Sequence, residues 1–292
     1  MALVWGLILL FIIQPGIAHD GAVAGAQLFV RALLPYLLPY IILTQWLLKM
    51  PASSKKNPVW RRFVKAFILG SFGGFPVGAI TVTEMTKNDE LTNKQSALLL
   101  AVCHAPGPMF IIGFVGSELL GDVTTGWKLL IAIHLANIFF FVVMTFFFKS
   151  EREKSAISIP KIKKAEGMPL LEAIKGSSTI ITLIATTVIF FSAIGTVLAT
   201  VISSAFDVDT GIAQTIALSI FEMTTGVQSA TDHFSQLPIF PFLIAAIISM
   251  NGLSIHMQVT VIAKAANISM IPYIFGRVWS VLTVPILFYI IF

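Results

Sequence analysis

Two stretches of the chain, residues 70–109 and 220–257, constrain its fold most strongly, because each holds apolar runs that are interrupted twice. The first stretch is interrupted by Gly73-Gly74-Phe75-Pro76 (break 1) and by His104-Ala105-Pro106-Gly107-Pro108 (break 2). The second is interrupted by Glu222-Met223-Thr224-Thr225-Gly226 (break 3) and by Asn251-Gly252-Leu253-Ser254 (break 4). Breaks at membrane depth survive only where protein or a polar cavity surrounds the freed backbone groups. Paired breaks in two halves of a chain therefore predict a binding site near the middle of a bilayer.

The composition excludes an ordinary soluble domain. With 57% hydrophobic and 11% charged residues, and a mean hydropathy of +0.90, the chain has too little polar surface to cover a core. The single cysteine, Cys103, excludes a disulfide framework and a cysteine metal cluster. The net charge of +5 comes from basic residues in short loops between apolar runs. This pattern is typical of cytoplasmic loops, so no nucleic-acid partner is expected.

The order of apolar runs predicts two halves preceded by one extra helix. Residues 1–26 form the extra N-terminal transmembrane helix. Residues 27–148 form the first repeat, with a helical hairpin at 63–86 and a broken helix at 95–120. A charged cytoplasmic linker at 149–168 separates it from the second repeat, 169–292, whose hairpin is 212–232 and whose broken helix is 238–264.

Loop charge decides between two interpretations of residues 63–86, which either cross the membrane once or enter and return on the same side. Lys55, Lys56, Arg61, Arg62 and Lys65 precede this segment, and a second basic cluster lies in the linker. Only a re-entrant hairpin places both clusters in the cytoplasm, as the positive-inside rule requires. Three crossings in each half then insert the second half upside down. The predicted fold is an all-α integral membrane protein of two inverted repeats, each with a re-entrant hairpin and a broken transmembrane helix.

Four motifs carry a resemblance to a known family: Gly74-Phe75-Pro76-Val77-Gly78-Ala79, the seven residues 107–113, the six residues 221–226 and the eight residues 252–259. In order and spacing they resemble the YlbJ (SpoVV) sporulation membrane proteins. That family belongs to the nucleoside-recognition or Gate-domain group and is similar to the concentrative nucleoside transporters. The resemblance implies paired hairpins and broken helices, transport of dipicolinate during spore formation, and a place in the bacterial cell membrane or the outer forespore membrane.

An anion could bind at the breaks without a basic side chain. Helices that restart after a break expose NH groups without intrahelical partners, and each such end carries roughly half a positive charge. Four ends meeting at the midplane would suit a carboxylate. The predicted substrate-binding residues are Gly74, Phe75, Pro76, Val77, Gly78, His104, Gly107, Pro108, Glu222, Thr224, Thr225, Gly226, Asn251, Gly252, Ser254, His256 and Gln258. For the Ser and Thr residues, capping of a helix end is an equally good interpretation.

Individual side chains carry further expectations. His104 and His256 hold equivalent places in the two halves, where they would donate to a carboxylate or stack on a ring. Glu222 either carries a coupling proton or cation or caps the hairpin tip, since an ionisable residue at mid-depth is costly and is by default a functional candidate. Arg277 is expected to snorkel, with an anion-facing role as the alternative. His134 and Asn137 are expected to bond between helices.

Enzyme motifs are lacking in the sequence, and neither a catalytic residue, a metal nor a cofactor is expected beyond a coupling Na⁺ or H⁺. A metal hydrolase using His104, His256 and Glu222 is a minor alternative. A nucleoside or nucleobase transporter and a non-transporting sporulation scaffold are also compatible with the sequence. The expected partners are a small-molecule anion and the lipid bilayer, and a homo-oligomer is left open.

Overall fold

The computed structural model describes residues 1–50, 59–147 and 168–292, and all regular structure in these ranges is helical. Two short segments, Phe29–Leu33 and Met109–Leu119, are wound as π-helices. The α-helices are α1 (Ala2–Ile13), α2 (Pro15–Leu28), α3 (Leu34–Lys49), α4 (Val59–Gly73), α5 (Phe75–Lys87), α6 (Asn93–Val102), α7 (Val123–Phe147), α8 (Pro169–Phe206), α9 (Thr210–Phe221), α10 (Met223–Phe234), α11 (Phe240–Met250), α12 (Gly252–Lys264) and α13 (Ile271–Ile291).

Five helical stretches in the described ranges are long and apolar enough to cross a membrane: Pro15–Lys49, Val123–Phe146, Pro169–Phe206, Phe240–Lys264 and Ile271–Ile291. A bilayer core about 30 Å thick needs about 20 apolar residues in a helix. Large apolar side chains also cover the outer surface of these helices, which suits hydrocarbon and not water. The chain is therefore a multi-pass membrane protein, and the predicted all-helical membrane class is confirmed.

The N-terminal helices divide differently from the prediction. The interruption lies at Gln14 (φ −123°, ψ 57°) and not between residues 26 and 27. Pro15 explains the position, because the residue before a proline avoids the helical region, whereas proline itself fits the first turn of the next helix. From Pro15 the helix continues through the π-helical Phe29–Leu33 segment to Lys49.

The chain reverses direction within two of the helix pairs. A Cβ built on Gly70 of α4 would lie 3.1 Å from the Gly78 Cα of α5, and one built on Gly226 of α10 would lie 2.5 Å from the Ser219 Cα of α9. Residues seven or eight positions apart in a continuous helix are about 10–12 Å apart. Therefore α4 folds back on α5 at break 1, and α9 folds back on α10 at break 3. By contrast, α11 and α12 do not pack side by side, and together they form one interrupted helix, Phe240–Lys264.

The two halves present the same order of elements and interlock. A long helix is followed by a folded-back pair, an interrupted helix and a last helix, first from Pro15 to Phe147 and again from Pro169 to Ile291. Both α2 and α3 pack along α8, α7 packs along α13, and α5 packs against α12. These contacts between halves bring breaks 1 and 2 next to breaks 3 and 4.

The basic clusters that fixed the predicted topology lie mostly outside the described ranges. Lys55, Lys56 and the charged residues of the 149–168 linker are not among the described residues. Arg61, Arg62 and Lys65 lie within α4, which begins at Val59 and so before the predicted hairpin start at residue 63. Arg62 donates from Nη1 to the Glu90 carbonyl and so ties the start of α4 to the turn after α5.

Candidate functional site

Breaks 1 and 2 touch through their backbones. Gly74 has φ +84° and ψ −177°, a conformation that is essentially restricted to glycine. A Cβ at this position would lie 3.2 Å from the Gly107 N and 3.6 Å from the Gly107 Cα. Phe75 and Pro76 then open α5, where the missing NH of a proline removes no helical hydrogen bond. Gly74 therefore allows the start of α5 to lie directly against break 2.

Breaks 3 and 4 meet in the same way, with a carboxylate between them. Glu222 is extended and caps α10: one carboxylate oxygen accepts from the Thr225 NH at 2.7 Å and the other from the Ser254 hydroxyl at 3.3 Å. Asn251 and Gly252 follow each other with φ +77° and +63°, which ends α11 and redirects the chain into α12. A Cβ on Gly252 would lie 2.9 Å from the Met223 N. The buried carboxylate thus joins the start of α10 to the start of α12.

Breaks 1, 2 and 3 border one internal cavity, and the part of α12 that follows break 4 completes its wall. Phe75, Pro76 and Gly107 line it from the first half, and Glu222, Thr224 and Gln258 line it from the second. These six belong to the residues predicted from the sequence. Its volume is about 30 Å³, room for about one water molecule. Gln258 is held by a hydrogen bond from its side-chain NH₂ to the Thr187 hydroxyl of α8 at 2.8 Å.

Most of the cavity wall is apolar and was not predicted. The additional lining residues are Leu33, Leu37, Phe110, Ile184, Val188, Met223 and Ile255. Met223 and Ile255 adjoin predicted residues in the sequence, so the breaks pointed to them indirectly. Leu33 and Leu37, and likewise Ile184 and Val188, have the four-residue spacing of a helix face. That spacing predicts burial, but it does not distinguish a cavity wall from ordinary helix packing.

The other predicted residues lie around the cavity without lining it. A Cβ built on Gly78 would lie 2.0 Å from the Cys103 carbonyl, and Thr225 donates its NH to Glu222 and its hydroxyl to the Glu222 carbonyl. Their observed contacts are those of close helix packing and capping. The remaining members of this group are Gly74, Val77, Pro108, Gly226, Asn251, Gly252 and Ser254.

Both predicted histidines lie against Tyr273, and neither of them lines the cavity. The His104 ring is fully buried, with its centroid 5.0 Å from that of Phe75 and 5.1 Å from that of Tyr273. Neither of its ring nitrogens has a hydrogen-bond partner in the described part of the chain. His256 places Nδ1 2.8 Å from the Tyr273 hydroxyl. The two equivalent positions therefore converge on one tyrosine of α13.

Arg277 does not snorkel, and that expectation is wrong. Its side chain is 6% exposed. Nη2 donates to the Ala101 carbonyl at 3.0 Å and to the Asn137 Oδ1 at 3.4 Å. The Asn251 side-chain amide, oriented to pair with both Arg277 and Ile248, makes two further hydrogen bonds. Its oxygen accepts from the Arg277 Nη1 at 3.1 Å, and its NH₂ donates to the Ile248 carbonyl at 2.7 Å. Because α6 and α11 both end here, the guanidinium lies at the partly negative ends of two helices.

Of the two side chains on α7 that were predicted to bond between helices, Asn137 does so. Asn137 connects α7 to α13 through Arg277, whereas the Nδ1 of His134 has no partner among the described residues and its ring lies 6.0 Å from that of Phe67. For the metal hydrolase hypothesis, no cluster of three or more His, Cys, Asp or Glu side chains capable of holding a metal occurs in residues 1–50, 59–147 and 168–292.

Comparison of the chain with protein-family models, with curated proteins and with solved structures found no match.

Proposed function

We propose that the chain is a membrane transporter for a small anionic or aromatic solute, with dipicolinate as the first candidate. The observation that supports it best is that helix breaks from both halves border one cavity. Irregular backbone inside a bilayer is tolerated where protein buries it, and in secondary transporters such backbone surrounds the substrate. The choice of dipicolinate as the solute rests on the resemblance to the YlbJ group. The proposed location in the bacterial cell membrane or the outer forespore membrane rests on the same resemblance.

The two folded-back helix pairs are re-entrant hairpins in this proposal, and the two halves are inverted repeats. The helices α4, α5, α9 and α10 have 15, 13, 12 and 12 residues. At 1.5 Å per residue they are roughly 18–23 Å long, too short to cross about 30 Å of hydrocarbon but long enough to pass its centre. The tips would then meet at mid-depth from opposite leaflets.

Helix ends would supply the attraction for an anion. The helices α5, α10 and α12 begin beside the cavity, as does the π-helical segment that starts at Met109. The positive ends of their dipoles favour a carboxylate, and at α10 the Glu222 carboxylate already accepts from the Thr225 NH. None of the residues lining the cavity is a lysine, an arginine or a histidine.

Glu222 is the proposed coupling residue. It is the charged side chain among those lining the cavity, and its carboxylate would repel an incoming anion. Binding a proton removes that repulsion, so an anion and a proton would enter together. A carboxyl group buried at mid-depth with neutral hydrogen-bond partners suits this role.

Transport of a nucleoside or nucleobase is the second candidate, and the same carboxylate favours it. A ribose offers hydroxyl donors, for which the Glu222 oxygens are acceptors, and the Gln258 amide could pair with a base edge. Because the cavity of about 30 Å³ is smaller than either solute, binding of either one requires the hairpin tips to separate. Secondary transporters open and close their sites by moving one repeat against the other.

Flux through the purified protein in liposomes tests the proposal. We expect uptake of radiolabelled dipicolinate that an inward proton gradient accelerates, with labelled uridine as the competing substrate. Uridine uptake without dipicolinate uptake would replace the first candidate by the second. Failure of both solutes to cross would overturn the proposal and favour the scaffold.

Replacing the coupling residue tests the mechanism. Glu222→Gln keeps an acceptor for the Thr225 NH and removes the charge, so the fold should persist while dipicolinate uptake loses its dependence on the proton gradient and no longer exceeds the equilibrium level. Glu84→Gln is the matched control, because Glu84 forms an exposed pair with Lys87, which contributes little. Unchanged proton-dependent uptake in Glu222→Gln would contradict the role.

A further inference from the structure

A second and larger space lies between α12 and α13, on the far side of α12 from the cavity. It is a cleft of about 500 Å³. Its polar lining includes His256, Tyr273 and Arg277, and its apolar lining includes Ile274, Val278 and Leu282. Consecutive residues of α12 face the two spaces, since Ile255 lines the cavity and His256 lines the cleft.

The cleft opens sideways toward the acyl chains of a bilayer. Ile274, Val278 and Leu282 lie one turn apart along α13 and are 58%, 56% and 63% exposed. Side chains at i, i+4 and i+8 form one continuous helix stripe. An apolar stripe on a span that is long enough to cross the membrane faces lipid, so a molecule dissolved in the bilayer reaches the cleft without passing through water.

The inner end of the cleft carries a positive charge without an acidic partner. The ion pairs of the described residues are His19 with Asp20, Lys49 with Glu172 and Lys87 with Glu84, and Arg277 takes part in none of them. Its Nε also has no acceptor within the described chain. Hydrogen bonds to Ala101, Asn137 and Asn251 satisfy part of the guanidinium, but all three are neutral. A buried cation in the membrane is costly until an anion meets it.

We propose that this cleft binds an amphiphilic carboxylate, that is, one carboxylate on an apolar body such as a medium-chain fatty acid. The carboxylate pairs with Arg277, with the Tyr273 hydroxyl and the His256 ring beside it. The apolar body lies along Ile274, Val278 and Leu282. This assignment does not depend on transport, and it stands whether or not a solute crosses the membrane through the other cavity.

Depth favours a free carboxylate over a phospholipid headgroup. Arg277 is the seventh residue of the 21-residue α13, which spans the hydrocarbon at about 31 Å. The guanidinium-bearing residue thus lies about 9 Å inside the nearer end of the helix. Headgroups of bilayer lipids remain at the interface, whereas a free fatty acid can be drawn inward by its charge partner.

Photoaffinity labelling tests this site in the intact protein. The probe is decanoate with a diazirine at its far end, added to the full chain in phosphatidylcholine nanodiscs, with crosslinks mapped by mass spectrometry. We expect labels on α12 and α13 that decanoate displaces and decanol, at equal concentration, does not. Equal displacement by decanol would show apolar partition alone and would overturn the proposal. Displacement by phosphatidylglycerol but not by decanoate would assign the cleft to lipid headgroups and would also overturn it.

Two substitutions separate the charge from the shape of the cleft. Arg277→Gln should reduce labelling at least tenfold, whereas Arg31→Gln, at an exposed arginine of the π-helical segment in the first half, should leave it unchanged. Because Arg277→Gln also removes hydrogen bonds that support the fold, Val278→Trp provides the second test by filling the mouth and leaving Arg277 in place. Labelling of Val278→Trp at the wild-type level would contradict the site, even if the Arg277→Gln variant fails to fold.

Discussion

At the scale of single residues, the contact between breaks 1 and 2 depends on Gly74. Its backbone occupies a region that only glycine enters readily, and its missing side chain leaves space for Gly107. The sequence identified this glycine because it lies in an interrupted apolar run. The close approach to Gly107, 33 positions away, became visible only in the folded protein.

Gly74→Ala should therefore destabilise the protein by about 1–3 kcal/mol through backbone strain, and it should also reduce solute uptake by moving α5 away from break 2. Gly121→Ala is the control for the contact, because Gly121 also has a positive φ, of +65°, but has nothing within 4 Å of a built Cβ. It should share part of the loss of stability through backbone strain and leave uptake unchanged. Stability comes from detergent-unfolding curves and uptake from liposomes. Wild-type stability and uptake in Gly74→Ala would contradict the role of this contact.

For Arg277 the sequence predicted the wrong side-chain direction. An arginine two turns into a span can snorkel by its length alone. The structure instead points it inward, because the end of α6 offers the Ala101 carbonyl oxygen and the end of α11 offers the Asn251 side-chain amide. These partners come from segments far away in the chain, and no local pattern predicts them.

At the scale of elements, α2 packs tightly on α8 through its small residues. A Cβ built on Gly21 would lie 2.6 Å from the Thr196 Oγ1 and 3.0 Å from the Ala193 Cα. Gly25 has a similar approach to Ser192, at 2.7 Å from Oγ. Small residues four positions apart let two membrane helices come close enough for backbone packing. This contact joins the first half of the chain to the second.

Gly21→Leu should separate α2 from α8 and destabilise the protein by about 1–3 kcal/mol, as other overpacked contacts do. Gly16→Leu in the same helix is the matched control, because nothing lies within 4 Å of a Cβ at Gly16. Both variants replace a glycine of α2 by leucine, and only the one at Gly21 meets α8, so the larger loss of unfolding free energy at Gly21 reports the packing. Equal stability of the two variants would show that the α2–α8 contact is loose.

The start of α7 depends on a cap outside the membrane core. Asp122 accepts from the Thr124 NH at 2.9 Å, the Thr125 NH at 3.0 Å and the Thr125 hydroxyl at 2.6 Å. The hydrogen bond from the Thr125 hydroxyl, aided by the Thr124 NH, lowers the pKa of the Asp122 carboxyl below its ordinary value. The cap therefore stabilises the fold above the ordinary pKa of an aspartate, and this stabilisation is lost as the pH falls through the lowered pKa.

Asp122→Ala should lower the thermal unfolding temperature near neutral pH, and its deficit relative to wild type should disappear in acid once the wild-type carboxyl is protonated. Asp20→Ala, at an exposed aspartate whose side chain contacts His19, serves as the control and should show little change at either pH. A deficit of the same size for Asp122→Ala in acid and at neutral pH would exclude a charged cap.

At the scale of the whole molecule, the halves interlock through α2 and α3 on α8, α7 on α13, and α5 on α12. Such mutual packing makes the position of each break depend on the other half. It also explains why one cavity has walls from both halves, since neither half encloses it alone. If the halves are inverted repeats as proposed, the two folded-back helix pairs enter the membrane from opposite sides.

Cysteine accessibility in intact cells tests that orientation. In a Cys103→Ala background, Asp232→Cys at the open end of the second hairpin should react with an impermeant maleimide from outside. Asn88→Cys at the open end of the first hairpin should react only after the cells are permeabilised, and this labelling also controls for side-chain exposure. Reaction of both positions from the same side would contradict the inverted repeats.

The sequence by itself determined that this chain is a helical membrane protein and located the four stretches where its helices are interrupted. Hydropathy and the backbone limits of glycine and proline are local properties, so they can be deduced without a fold. Tertiary structure alone decided that Leu33 and Ile184 share a cavity with Glu222, that both histidines turn to Tyr273, and that Arg277 faces inward. The physical reason is that the direction of a buried side chain depends on which helices pack around it, and Arg277 meets a carbonyl 176 residues away.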